Sequence, residues 1–181
     1  MAALIDLVGS SIVGGWVLVS LLSFFSNVES VSMHETLVTS TDEELSNATA
    51  IVESDIRKAG YNIADPVKML RADSNAVAFK LDIDRDGVLD SVSYYLALPA
   101  GGSAGTPMDL VRKLNGGSGA KVLGGITNFL LRYQDSTGAA TAVLQNVRWI
   151  TVSMTAQSSM SADGENPAIY WQKTFNPMNL R

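Results

Sequence analysis

Between Asp82 and Asp90 the chain reads Asp-Ile-Asp-Arg-Asp-Gly-Val-Leu-Asp, four carboxylates crowded around Gly87. Acids at this spacing, with a Gly to turn the backbone, can wrap oxygens round Ca²⁺, which takes about 6–8 of them. The pattern assigns side-chain oxygens to Asp82, Asp84 and Asp86, a carbonyl to Val88, and a direct or water-mediated contact to Asp90. Ser93 stands where the usual twelve-residue loop has its bidentate Glu, and strand-like sequence flanks the loop instead of helices. The same residues also suit a plain polar hairpin turn, because Asp and Gly take turn conformations readily. Four neighbouring carboxylates repel one another without a cation. Two readings therefore stand side by side, a bare turn and a Ca²⁺ loop.

The second chemically pointed residue is Asp6. It opens a stretch with no further charge until Glu29. That is the ~20 apolar residues that an α-helix needs to cross a bilayer core. A carboxylate at membrane depth is costly and needs a partner. A helix N-terminus eases the cost a little. The nearest cation is an α-amino group, the chain's own or that of a neighbouring chain. A cleaved secretory signal has a basic start and a shorter apolar run. A plain anchor has no use for the acid.

Other chemistry finds no footing. The chain has no cysteine and one histidine, His34, so a zinc site is not expected. Its G-x-S-x-G string, Gly101-Gly102-Ser103-Ala104-Gly105, leads into Thr106-Pro107 and a strand-like run instead of the helix that a nucleophile elbow opens, and there is no Gly-Lys phosphate loop. The reading is a protein that is not an enzyme. A net charge of −5 argues against nucleic acid as a partner. Asn47-Ala48-Thr49 is a glycosylation tripeptide of a kind that is frequent by chance.

The elements that must position these residues follow from periodicity. In the apolar stretch, Gly9, Ser10, Gly14 and Gly15 are small residues that let helices approach closely, Ser10 and Gly14 lying four apart. The Gly14-Gly15 pair also weakens a helix by ~1 kcal/mol per residue, which allows local unwinding there. Downstream, Leu45, Ala48, Val52, Ile56 and Ala59 recur at three- and four-residue spacing on one helix face, with Glu43, Glu44, Glu53, Asp55 and Arg57 off it. Thr41 with Glu44 forms a capping-box pattern, which leaves open a kink or fresh start near Ser40. Gly60 is a natural C-terminal stop. One helix from about Ala2 to about Ala59 is expected.

Beyond Gly60 the period becomes alternating. Strands are expected at Ala76–Leu81, Val88–Leu98, Met108–Leu114, Ile126–Tyr133, Val143–Ala156 and Ile169–Phe175, separated by Gly-containing turns. Phe129, Leu131 and Tyr133 should share a face. Ile150, Val152 and Met154 should share another, opposite Val147 and Trp149. Short sequential strands imply a mostly antiparallel sheet, apolar on both sides and so covered by the helix and by neighbours. The expected class is α+β, organised as 1–26 membrane or filament-core helix, 27–60 amphipathic helix, and 61–181 β-rich head.

The run Ala3-Leu4-Ile5-Asp6-Leu7-Val8 resembles the start of a mature type IV pilin or type II secretion pseudopilin, with Asp6 in place of the family's Glu. Glu53-Ser54-Asp55-Ile56-Arg57-Lys58-Ala59-Gly60-Tyr61 is similar to the helix end of minor pilins and J-type pseudopilins. The resemblance implies a long helix packed on a β head and pairing of Asp6 with an adjacent subunit's N-terminal amine. It also implies assembly into a homo-oligomeric helical filament. No basic leader ending in Gly precedes Met1, so the processed form is expected, with the acid one position later than usual. Further implications are an inner-membrane pool before assembly, partners in the pilus or secretion machinery, and a place on the cell surface. Three functions are left in view: a pilus-like structural subunit, a pseudopilin or minor tip subunit, and a membrane-anchored ligand-binding β domain that never polymerises.

Overall fold

The computed structural model describes residues 2–162 and 164–180, with side chains from Asp6 onward. Helix α1 runs from Ala2 to Arg57, 56 residues without a break. At ~1.5 Å per residue it is ~84 Å long. Gly14 and Gly15 lie in unbroken helix, so no unwinding occurs there. Thr41 does not start a new helix either. Its Oγ1 donates to the Leu37 carbonyl at 2.8 Å, the back-bond of a residue inside a continuous helix.

Only the last third of α1 is covered. Every described residue from Asp6 to Ser40 is exposed or half-buried, and the first buried side chain is Thr41. From there Leu45, Ala48, Val52 and Ile56 are all buried, as their spacing predicts, followed by Ala59 just past the helix. The helix ends three residues before Gly60. Lys58 and Ala59 donate to the carbonyls of Asp55 and Ile56, tightening the last turn. Gly60 then takes φ +77° and donates to the Lys80 carbonyl. A Cβ there would sit 2.9 Å from the Asn179 carbonyl oxygen, so both conformation and space require glycine.

The head is a seven-stranded antiparallel meander in sequence order. Its strands are β1 (Met69–Ala72), β2 (Ala76–Leu81), β3 (Asp90–Ala97), β4 (Met108–Leu114), β5 (Gly119–Gln134), β6 (Trp149–Gln157) and β7 (Ala168–Phe175). The first half of β5 pairs with β4 and its second half with β6, with register shifts between. Gly125 lies at this bend with φ +72°, and its Cα is so close to β6 that a Cβ would meet the Gln157 carbonyl oxygen at 2.3 Å. Leu131 N–H donates to the Ser74 carbonyl and Tyr133 Oη to the Asp73 carbonyl. These bonds curl the second half of β5 against the β1–β2 turn.

α1 packs on β5, β6 and β7. Phe129, Leu131, Tyr133, Ile150, Val152 and Met154 face the core, as their alternation predicts. Val147 departs from its predicted side. It is buried while Trp149 is exposed, because Leu144–Asn146 form a 3₁₀ turn and β6 begins only at Trp149. On the face of the sheet away from α1, Arg132 and Tyr170 are exposed.

Candidate cation loop and exposed helix

The β2–β3 connection holds the acidic run. Asp82, Asp84 and Asp86 each offer a carboxylate oxygen, and the three oxygens lie within 4.8 Å of one another. Asp84 and Asp86 are exposed, whereas Asp82 is 2% exposed. One Asp82 oxygen, Oδ2, accepts from Asn62 Nδ2 at 2.7 Å and from Gly87 N–H at 3.2 Å. The other, Oδ1, is buried with no hydrogen-bond partner. A buried carboxylate oxygen left unpaired carries a desolvation cost that an incoming cation removes. The Asn62 hydrogen bond, with help from backbone N–H groups of the loop, holds the Asp82 carboxyl below the usual carboxylate range.

The backbone is bent to suit. Asp84 Oδ1 accepts from Asp86 N–H and Asp86 Oδ1 from Val88 N–H, two Asx turns in succession. Arg85 takes φ +66°, a left-handed conformation unusual for a bulky residue. Its guanidinium lies 5.9 Å from the centroid of the Tyr61 ring. The ion pairs between described residues engage Glu53, Asp55, Asp65, Asp73 and Asp109, and none of them includes these three carboxylates. The acids are thus grouped so that they could hold a metal ion.

Asp90 is placed differently from the other three. Its Oδ2 accepts from Ile83 N–H and its Oδ1 from Asn115 Nδ2, so the buried carboxylate ties the two ends of the loop together. Val88 is 62% exposed at the loop tip.

The second site is the free part of α1. Asp6 is exposed near its start. A Cβ added to Gly9, Gly14 or Gly15 would meet nothing within 4 Å, so all three present bare backbone outward. Ser10 and Ser11 both donate to the Leu7 carbonyl and Ser20 to the Trp16 carbonyl. Each hydroxyl is thereby satisfied without water, as an apolar environment requires. Ile12, Val13, Trp16, Val17, Ser20 and Leu21 line an open apolar groove along the helix. By length and composition α1 can cross a membrane. His34 is exposed on the same helix.

One cluster escaped the sequence pattern. Asp55, 5% exposed, points into the sheet, where its Oδ2 accepts from Tyr94 Oη at 2.6 Å and from Arg112 Nε at 2.7 Å. Burial beside that carboxylate pushes the Tyr94 phenol well above its ordinary range. Asn62 was equally unmarked. The only hint lay in its residue type, since Asn tolerates the left-handed φ of +55° that it adopts.

No protein-family model matches the chain, and no curated protein matches it.

Proposed function

We propose that this protein is a structural subunit of a type IV pilus-like filament, polymerising through α1. The supporting observation is the helix itself. One unbroken helix buries its last third against the head and leaves the described residues before Thr41 exposed or half-buried, the apolar run up to Phe25 among them. A membrane serves as the cover before assembly, and neighbouring copies serve afterwards. Bare glycine backbone at Gly9, Gly14 and Gly15 suits close helix packing in such a bundle. The N-terminal sequence and the helix end, both similar to the pilin and pseudopilin superfamily, support the same reading. The filament lies outside the cell and draws on an inner-membrane pool through a pilus or secretion assembly machine.

Asp6 neutralises the N-terminal amine of an adjacent subunit. Asp6→Ala is expected to leave membrane insertion intact and to reduce filament yield sharply, as counted by electron microscopy of sheared or detergent-purified material. Normal filaments from Asp6→Ala would remove the pairing. Wild-type protein that stays monomeric in every preparation would favour the anchored β domain that binds a ligand.

The acidic loop takes Ca²⁺ through Asp82, Asp84 and Asp86. With the twelfth-position Glu replaced by Ser93, affinity is modest, ~10⁻⁴ M as in extracellular modules. At ~1 mM Ca²⁺ the folded head then gains RT ln(1 + ~10), about 1.4 kcal/mol. The melting temperature should fall by a few degrees on chelation, and Asp84→Asn with Asp86→Asn should erase that difference. Identical melting curves in calcium and in chelator would leave the loop a bare turn.

A further inference from the structure

We propose that the cation bound by Asp82, Asp84 and Asp86 is a latch that fastens the β2–β3 hairpin to the C-terminal end of α1 through Asn62. This inference rests on the cation reading of the loop and adds what the cation controls.

The pivot is Asp82, whose two oxygens face different tasks. Oδ2 is held by Asn62 Nδ2, and Oδ1 is the buried acceptor with no partner. A metal ion shared with Asp84 and Asp86 supplies the missing partner and fixes the carboxylate that Asn62 grips. Several contacts of the hairpin reach one short turn, residues 60–62, directly after α1, beside those that Lys80 makes with Asp65 and Lys68. Asp82 N–H donates to the Tyr61 carbonyl at 3.1 Å, and Gly60 N–H donates to the Lys80 carbonyl at 2.8 Å. The Arg85 guanidinium lies over the Tyr61 ring. Asn62 and Arg85 both hold left-handed backbones to make these contacts. Without a cation, three carboxylates within 4.8 Å repel, and the repulsion acts on the residue that Asn62 holds. With it, the loop, the hairpin and the helix end become one unit.

The consequence is mechanical. The turn at residues 60–62 leads from the helix into the head, so cation occupancy adds local stiffness there to the hold that the buried stripe of α1 already provides.

The test measures amide hydrogen exchange on the full-length chain in detergent, with CaCl₂ or with chelator, beside calorimetric titration of CaCl₂. If opening the turn releases the ion, exchange at the Asp82 and Gly60 amides should slow by the factor 1 + [Ca²⁺]/Kd, about tenfold at ~1 mM. Asn62→Ala should still bind calcium in the titration but lose the slowing at the helix-end amides. Calcium binding with protection confined to residues 83–89 would overturn the latch while the cation site stands. Full slowing in Asn62→Ala would also overturn it. No heat of binding in the titration would overturn both the latch and the cation reading.

Discussion

Ile56→Ala should cost the head about 2–5 kcal/mol, the range for truncating a fully buried aliphatic side chain to Ala. Ile56 is 0% exposed and belongs to the same core as Val52, Val92, Leu110, Ile150 and Met154. It is the last large residue of the α1 stripe, so its removal leaves a cavity where helix and sheet meet. The surrounding strands are fixed by their ladders and cannot collapse into that space without breaking register. At roughly 2–4 °C per kcal/mol, the melting temperature of the full-length chain in detergent should drop by roughly 10 °C. Ile51→Ala is the control. Ile51 lies on the same helix but is 45% exposed, and its truncation should change stability by less than about 0.5 kcal/mol. Equal melting temperatures for Ile56→Ala and wild type would mean that the helix does not pack on the sheet through this face.

That stripe was legible in the sequence because its signal is local. Leu45, Ala48, Val52 and Ile56 repeat at the helical period within a dozen residues, and the period alone says which way they point. The strands β2 and β4 were legible for the same reason, since alternation and turn residues bound them closely. β1 was not, because Met69–Ala72 has only four residues and no alternation to read. β5 is 16 residues long, and the sequence marks a strand only in its second half, from Ile126 to Tyr133. Gly124 and Gly125 mark the bend where the strand leaves β4 for β6, which only the two partners define. Thr41 resembled a cap because the pattern Thr-x-x-Glu is the same whether the helix begins there or passes through. The acidic loop was legible as a spacing of carboxylates. The division of labour within it was not. Asp82, Asp84 and Asp86 converge while Asp90 turns away to Ile83 and Asn115, and Asn115 is 25 residues distant. The same limit hid Asp55. A charged residue off the apolar stripe reads as solvated, and the partners that contradict this lie 39 and 57 residues away.

Asp55→Ala is the variant that tests this long-range joint, and its expected cost is about 3 kcal/mol. The carboxylate does two things at once. It accepts the Tyr94 hydroxyl on β3 and the Arg112 guanidinium on β4, so one helix side chain holds two strands. Removing one partner of a buried pair strands the other, which costs about 3–5 kcal/mol when both are fully desolvated. Here the Arg112 side chain is 23% exposed, and water recovers part of that loss, which places the estimate at the low end. The Tyr94 phenol is 1% exposed and has no such recourse. A buried donor left unsatisfied costs about 1–3 kcal/mol. Tyr94→Phe alone should be milder, about 1 kcal/mol, because Asp55 keeps its arginine. In the Tyr94→Phe background, Asp55→Ala should therefore cost less than in the wild type, a coupling of about 1 kcal/mol or more in a double-mutant cycle. Denaturant melts of the four proteins measure it. Additive effects within about 0.3 kcal/mol would show that the hydroxyl and the carboxylate do not act together. An Asp55→Ala cost no larger than that of Ile51→Ala would show that the carboxylate is solvated after all. Should the joint hold as described, the filament reading gains a physical basis for transmitting load. The helix that the proposed filament would pack into its bundle is then tied to its head by the Ile56 core and the Asp55 clamp, on adjacent residues of its last turn.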